Sequence, residues 1–343
     1  MLTRLKVSGF KNLVDVDVRF GPFTCIAGAN GVGKSNLFDA IRFLSALADR
    51  PLIEAAQSVR DEDGRTGDIR HLFHRVGDTY AQEMSFEVEM IIPSTGVDDF
   101  NQTANAKGTF LRYSLTIGLQ EDAASLELLQ EDLQYVTLNK SDVVKHIFFT
   151  YQPVWLNDVI RQEKRGRHAP FISTEHNGQR IIKQHYDGIS GKPYSRDASK
   201  LPRTVLSAVN AAESPTVVLA KREMQSWRLL QLEPSSLRKP DEFGTSERIG
   251  VDGAHLAATL ARLARVDDIS VYQRISNSLA DLLDDVSSVA IDRDEKREIL
   301  TLMVEGKDGT WHPAKSLSDG TLRFLALAVM SLDPETTGLI CLE

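Results

Sequence analysis

"GANGVGKSNLFDAIRFLSAL", running from Gly28 to Leu47, decides how the rest of the chain is read. Its first eight residues, Gly28-Ala29-Asn30-Gly31-Val32-Gly33-Lys34-Ser35, satisfy G-x-x-x-x-G-K-[ST] in full. Glycines in such a loop let backbone N–H groups converge on a β-phosphate without Cβ clashes. Lys34 adds a point charge for the β- and γ-phosphates, and Ser35 a hydroxyl for Mg²⁺. The flanks suit a phosphate cradle. Before it, "PFTCIAG" (22–28) is a short apolar run that reads as a strand. After it, Leu37, Ala40, Ile41, Leu44 and Leu47 recur at helical spacing until Pro51. Strand, glycine loop and helix in that order predict an α/β fold built around a P-loop. Asn30, Gly31, Val32, Gly33, Lys34, Ser35 and Asn36 are the candidate nucleotide-binding residues.

Bulk properties narrow the class. The 343 residues, 42% hydrophobic and 26% charged, describe a globular chain with ample core. Apolar runs such as "FLALAVM" fall far short of the roughly 18 residues of a membrane span. The start, "MLTRLKVSGF", alternates like a strand and lacks the apolar core of a secretory signal. Cys25 and Cys341 lie in short apolar runs and read as buried free thiols in a reducing compartment, which predicts a cytoplasmic protein. A net charge of -8 argues against a surface coated for nucleic acid. The charge is uneven, however: residues 161–203 carry ten Lys and Arg against four Asp and Glu. This segment reads either as an arm that contacts DNA, RNA or a partner, or as a solvated excursion balanced by acidic neighbours.

Working outward from the loop, residues 2–8 and 14–20 alternate as an antiparallel pair with one wet face. Residues 85–92 and 110–119 read as strands paired across the polar 95–108 loop. Weaker strand-like pieces follow: "HIFFTYQ", "PFISTEH" and "QRIIKQHYDG". A helix is expected around 214–228. Asp252 is placed as the cap of an amphipathic helix carrying Leu256, Leu260 and Leu263, with a further helix over 267–284. Strands 287–294 and 297–306 come next.

A second glycine-bearing helix start lies almost a whole chain away, in "SLSDGTLRFLALAVM" from Ser316. By itself "SLSDGT" is an N-capped helix, with Ser318 as cap and Asp319 near the positive end of the dipole. About 20 residues further on, "GLICLE" is an apolar strand ending in a carboxylate, the shape of a Walker B segment that holds the nucleotide's Mg²⁺. Glu343 is the candidate ligand; a surface acid at a strand end is the other reading.

Together "LKVSGFKNLVDVDV", "GANGVGKSNLFDAIRFL", "LEPSSLRKP…IGVDGAHLAATLARL" and "SLSDGTLRFLALA…LICLE" resemble the ABC-type ATPase heads of the SMC/RecF/OLD-like class. The middle segment is similar to its compact AAA-labelled subfamily. The resemblance covers nearly the whole chain. It implies a mixed central sheet with an antiparallel β subdomain and a β-rich, helical insertion. It divides the chain into 1–120 (Walker A and antiparallel strands), 121–215 (basic insertion) and 216–343 (helical segment, signature and start of Walker B). It further implies ATP and Mg²⁺ as cofactors, and two copies packed head to tail. Each signature, Ser318 with the backbone at Gly320, would then close over the ATP held by its partner. Lys34 and Glu343 take the catalytic roles, and Ser35 and Glu343 hold the metal. Asp319 and Thr321 depart from the Gly and Gln of transporter-type signatures, so Asp319 is expected to point away from the γ-phosphate.

The same resemblance places a catalytic glutamate immediately after Glu343, with a D-loop and a switch histidine later. We therefore expect a truncated chain; a binding-competent, hydrolysis-poor fragment is the alternative. Lys11 and Asn12 follow the first strand where relatives approach the nucleotide, or form a solvated turn. Gln82 is a weak Q-loop candidate. His71, His74 and Asp78 resemble a metal cluster without supporting ligands and read better as an ordinary loop. Three functions follow from the resemblance: a DNA-associated ATPase in genome maintenance, an ATP-gated switch for an effector nuclease or toxin in anti-phage defence, or a non-hydrolysing ATP-dependent scaffold. None involves a membrane.

Overall fold

A computed structural model describes residues 1–59, 68–120, 125–136, 146–161, 169–176, 178–187, 192–280 and 286–343, with the backbone alone at 266–270. The chain forms two compact units, Met1–Trp227 and Arg228–Glu343.

The first unit is organised by one antiparallel sheet. Its strands are β1 (Leu2–Ser8), β2 (Val16–Arg19), β3 (Glu83–Ile91), β4 (Phe110–Gln120), β5 (Ser125–Tyr135), β6 (Ile172–His176), β7 (Arg180–Gln184) and β8 (Tyr194–Asp197), in the order β8-β7-β6-β5-β4-β3-β1-β2. Period-two alternation explains why these segments pair. Met84, Phe86, Val88 and Met90 of β3 and Leu111, Tyr113, Leu115 and Ile117 of β4 all point into the core. The opposite face carries Lys6, Ser85, Glu87, Ser114, Thr116 and Gln130 along a polar groove, the wet face expected of an antiparallel sheet. Helix α1 (Lys34–Leu47) lays Leu37, Ala40, Ile41, Leu44 and Leu47 on the apolar side. There the rings of Phe10, Phe43 and Phe86 meet with centroids 5.6–5.9 Å apart. Helices α2 (Leu52–Gln57), α3 (Pro153–Val159) and α4 (Pro215–Gln225) complete the unit.

A bulge sets the interior of β5. Its register slips opposite Thr116 and Ile117, where Leu129 is the extra residue, and this turns Glu131 inward. Glu131 is 0% exposed. Its carboxylate accepts the backbone N–H of Val205 (2.7 Å) and Leu206 (2.8 Å) and the Tyr113 hydroxyl (3.1 Å). The segment leading to α4 is thus fastened to the sheet by one side chain. A second buried acid, Glu89, takes Arg112 Nη2 at 2.6 Å and His146 Nδ1 at 2.9 Å, tying the start of the 146–161 segment to β3. Burial pushes the Glu89 carboxyl up, but the bonds from His146 and Arg112 outweigh it and hold the group low.

In the second unit, β9 (Arg228–Leu230) runs parallel to β13 (Ile340–Leu342). β10 (Val286–Asp294) and β11 (Ile299–Gly306) form a hairpin, with β12 (Trp311–Pro313) on the outer side of β11. Helices α5 (Leu256–Ala280) and α6 (Asp319–Leu332) share a core in which Leu260, Ile275, Leu279, Leu302, Leu322, Leu325 and Val329 are buried. With both parallel and antiparallel ladders, the architecture is the expected mixed α/β one.

Several local expectations are corrected. Residues 22–28 form no strand: among the described residues they meet no ladder partner, and an apolar run without one cannot hold extended pairing. Cys25 is consequently exposed, whereas Cys341 is buried in β13, where burial pushes its thiol up to about 12. "HIFFTYQ" (146–152) is not a strand either; Phe149 and Tyr151 instead cluster with Trp155 of α3, centroids 5.5–6.5 Å apart. The two helices expected over 252–284 are one, α5, and Asp252 does not cap it. Asp252 accepts Ala254 N–H at 3.1 Å and the Ser236 hydroxyl at 2.6 Å, organising the turn before the helix. The cap comes from afar: Asp241 accepts the Ala258 N–H at 2.9 Å.

Burial pushes the Glu131 carboxyl up to about 7 from the ordinary 4.5, against the lowering effect of the Leu206 and Val205 N–H groups and the Tyr113 hydroxyl. The folded chain thus keeps a proton that the unfolded chain releases in that window, and this group's contribution to stability falls as pH rises through it. Glu131→Gln removes the titration. The stability advantage of the native residue over Gln should shrink by about 3 kcal/mol between roughly pH 4.5 and 8 in urea unfolding. A pH-independent difference would mean that the carboxyl titrates alike in the folded and the unfolded chain.

Candidate functional site

The glycine loop keeps its expected place at the start of α1. Gly33 is the cap residue, in the left-handed region at φ 104°, and no side chain caps the helix. No acid occupies the first turn, so the start of the helix itself does not repel an anion at the positive end of the dipole. Lys34 Nζ donates to the carbonyls of Gly28 and Ala29, each at 2.8 Å, which curls the cation back onto the loop. Gly31 also has positive φ (85°), but a Cβ there would meet nothing within 4 Å. Gly33 is constrained twice over. Besides its φ, a Cβ would come within 2.5 Å of Asn12 Oδ1.

That contact belongs to a clamp built by the turn after β1. Lys11, itself left-handed (φ 48°), donates Nζ to Asp39 of α1 at 2.6 Å; the two side chains are only 11% and 6% exposed. Asn12 Nδ2 reaches the Gly31 carbonyl at 3.3 Å, and its Oδ1 accepts Asn36 Nδ2 at 2.8 Å. His74 holds the turn from behind: its N–H donates to the Gly9 carbonyl (2.8 Å), and its Nδ1 lies 2.7 Å from the Lys11 carbonyl. A cleft of about 260 Å³ opens here, lined by Lys11, Asn12, His71, His74, Arg75 and Tyr80. Asp39 was missed from sequence although it left a signal. An acid on the apolar face of a helix must have a buried partner.

The other predicted residues belong to the second unit. Ser318 is the cap of α6, its Oγ accepting Thr321 N–H at 3.2 Å and lying 2.8 Å from Thr321 Oγ1. Asp319 is turned to Arg238, whose Nη2 donates to Asp319 Oδ1 at 2.5 Å and to the Leu317 carbonyl at 3.0 Å. No sequence period pointed to Arg238, which follows a short turn (Pro234–Leu237) some 80 residues away. Gly320 meets no crowding; a Cβ would find only Ser318 Oγ, at 4.0 Å. Glu343 leaves β13 with its N–H on the Leu230 carbonyl (3.2 Å), and its Oε2 accepts Gln231 Nε2 at 3.2 Å.

Gln82 is exposed beside β3, its carbonyl accepting Leu119 N–H at 2.9 Å. His71 and Asp78 do not converge with His74 on a metal site. Asp78 pairs with Arg75 at 2.8 Å, and His71 meets the Tyr80 ring edge-on at 6.3 Å. Among the described residues no group of three or more His, Cys, Asp or Glu could hold a metal ion by itself.

A glycine loop capping an unopposed helix start, within a mixed α/β chain, is the arrangement of the P-loop class, and an AAA-domain family match agrees with it. The chain belongs to the family described as "AAA domain, putative AbiEii toxin, Type IV TA system", whose profile matches residues 23–343. Short stretches are similar to proteins named DNA replication and repair protein RecF. The identity is 35% over 63 residues in Phocaeicola vulgatus (18% of this chain, 17% of that protein). It is 44% over 46 residues in Porphyromonas gingivalis (13% of each) and 34% over 89 in Magnetococcus marinus (26% and 22%). These matches thus span no more than about a fifth of the relatives' length. Among solved structures, the Smc head domain from Pyrococcus furiosus, bound to the C-terminal domain of ScpA, aligns at 12% identity with TM-score 0.42, covering 96% of this chain and 78% of that one. A RecF structure of the RecFOR pathway aligns at 14% identity with TM-score 0.32, covering 100% and 84%.

The two constraints on Gly33 separate it from Gly28, whose added Cβ would meet side chains alone, Val32 Cγ2 at 3.1 Å and Lys34 Cδ at 4.0 Å, with no positive φ. Gly33→Ala should cost about 1–3 kcal/mol in thermal or urea unfolding, and Gly28→Ala well under half of that. Equal costs would mean that Asn12 does not press on the loop.

Proposed function

We propose that the protein binds Mg-ATP, hydrolyses it to ADP and phosphate, and uses ATP to join two copies head to tail. The carrying observation is the α1 start, with Gly33 left-handed, no side-chain cap, no first-turn acid and Lys34 folded onto the loop. Backbone amides from Asn30 to Asn36 and the Lys34 ammonium would take the phosphates. A triphosphate displaces the two loop carbonyls from Lys34 and offers charged oxygens instead, an exchange that strengthens each bond. Asn12, locked between Gly31 and Asn36, keeps the loop in register while this happens. The nucleoside end is assigned to the cleft beside Lys11 and Asn12.

Magnesium takes few protein oxygens and completes its shell with phosphates and water. Each by itself, the Ser35 hydroxyl on the second residue of α1 and the exposed Glu343 carboxylate are oxygen donors of the kind such an ion takes, whereas the Asp39 carboxylate is buried against Lys11. When bound, the ion neutralises charge on the β- and γ-phosphates. In the head-to-tail pair, the Ser318 hydroxyl and the Gly320 backbone of one copy face the γ-phosphate held by its partner. Hydrolysis then dissolves the contact, making the protein an ATP-operated switch or clamp.

Two settings are supported by different observations. The RecF-named relatives and the basic 161–203 segment favour work on DNA. The family description favours a toxin-type or defence module acting through an effector. DNA-stimulated turnover that falls steeply with salt would select the first. Stable co-purification of an effector, with no DNA response, would select the second.

Lys34→Ala should weaken ATP binding by about 100-fold or more, and retained micromolar affinity in calorimetry would refute the P-loop assignment. In sedimentation, Mg-ATP should drive the native protein to a dimer and leave Ser318→Arg monomeric.

A further inference from the structure

We propose that Arg238 is a positioning residue of the site formed in trans: by holding the Asp319 carboxylate, it lets the start of α6 accept the partner's γ-phosphate. The inference rests on the head-to-tail reading above. The difficulty it resolves is electrostatic. Asp319 is the first residue of α6, directly after Ser318, and its side chain is about two-thirds exposed. A lone carboxylate there stabilises the helix dipole but repels a triphosphate arriving at the same end. Arg238 answers both charges. One Nη2 group bonds both the Asp319 carboxylate and the carbonyl of Leu317, which lies just before the cap.

The guanidinium is delivered by a fixed turn. Leu237 is buried and packs on Gly253, where an added Cβ would lie 2.7 Å from its Cδ2. Glu233 N–H donates to the Asp252 carbonyl at 2.8 Å, and the Ser236 hydroxyl to the Asp252 carboxylate at 2.6 Å. Ser318 Oγ, meanwhile, is engaged by Thr321 rather than by Asp319. The helix start is thus arranged so that its acid is neutralised from outside the motif while its hydroxyl stays at the cap. This accounts for an aspartate at a position where a neutral residue would be the simpler choice for an anion site.

The test is the dimer dissociation constant, measured by sedimentation equilibrium in Mg²⁺ and a non-hydrolysable ATP analogue. Arg238→Ala should weaken the dimer about tenfold or more. Adding Asp319→Asn to it should restore most of the loss, because the uncompensated charge is gone; a purely structural role for Arg238 would not be rescued this way. Asp319→Asn alone, which leaves Arg238 uncompensated beside the anion, should dimerise at least as tightly as the native chain. An unweakened Arg238→Ala, a double variant as weak as the single one, or a weakened Asp319→Asn would each overturn the assignment. If the native protein binds the analogue yet stays monomeric, the head-to-tail reading itself fails, and Arg238 with it. That result is read on the native chain alone and so is distinct from the others.

Discussion

The glycine loop leans on the turn after β1, and an ion pair ties that turn to the buried side of α1. Lys11 adopts a left-handed backbone and sends its ammonium to Asp39 on the buried side of α1. Neither group is well hydrated, so each needs the other. Deleting one partner of such a pair leaves a buried charge and costs roughly 3–5 kcal/mol. The pair pins the turn to the helix, and the next residue, Asn12, is thereby pressed against Gly31, Gly33 and Asn36. The loop is held open by contacts made outside the motif. A cradle that must reform around each nucleotide would lose affinity to ordering, whereas a braced one does not.

The same economy appears in the rest of the first unit. Inward-facing carboxylates act as nails where hydrophobic packing alone would leave the chain free to slide. Glu131 fastens residues 205 and 206 beneath β5, and Glu89 fastens His146 to β3. Each accepts several donors, as a buried acid must. The difference between them lies in their partners. Glu89 faces a guanidinium and an imidazole, and its carboxyl is held low. Glu131 faces only neutral donors, and burial prevails.

Helix starts in the second unit are managed from a distance as well. Asp241 caps α5 across some seventeen residues of chain, and Arg238 governs the charge at the start of α6. For α5 the local residue that the sequence offers, Asp252, is engaged elsewhere, whereas α6 keeps its local cap, Ser318, and only the charge of Asp319 is met from outside. A cap is a hydrogen-bond requirement, and any acceptor that the fold delivers can meet it.

How much of this was legible follows from the range of each interaction. The glycine loop from Gly28 to Gly33 and the helix it opens were readable because such a loop is a local device, with φ angles and spacing set by consecutive residues. The strands of β3 and β4, the α1 stripe and the Ser318 cap were readable for the same reason, since period and capping act within a few residues. Residues 22–28 and 146–152 were misread because an apolar run becomes a strand only if a partner strand is supplied. The bulge that buries Glu131, the Lys11–Asp39 pair and the Arg238–Asp319 pair were invisible because each joins residues brought together by folding alone. The amino-acid sequence by itself thus determined the class of the protein and the place of its glycine loop at the start of α1. The tertiary structure decided which side chains brace that loop and which charge attends the start of α6, because desolvation and ion pairing are set by distance in space and not along the chain.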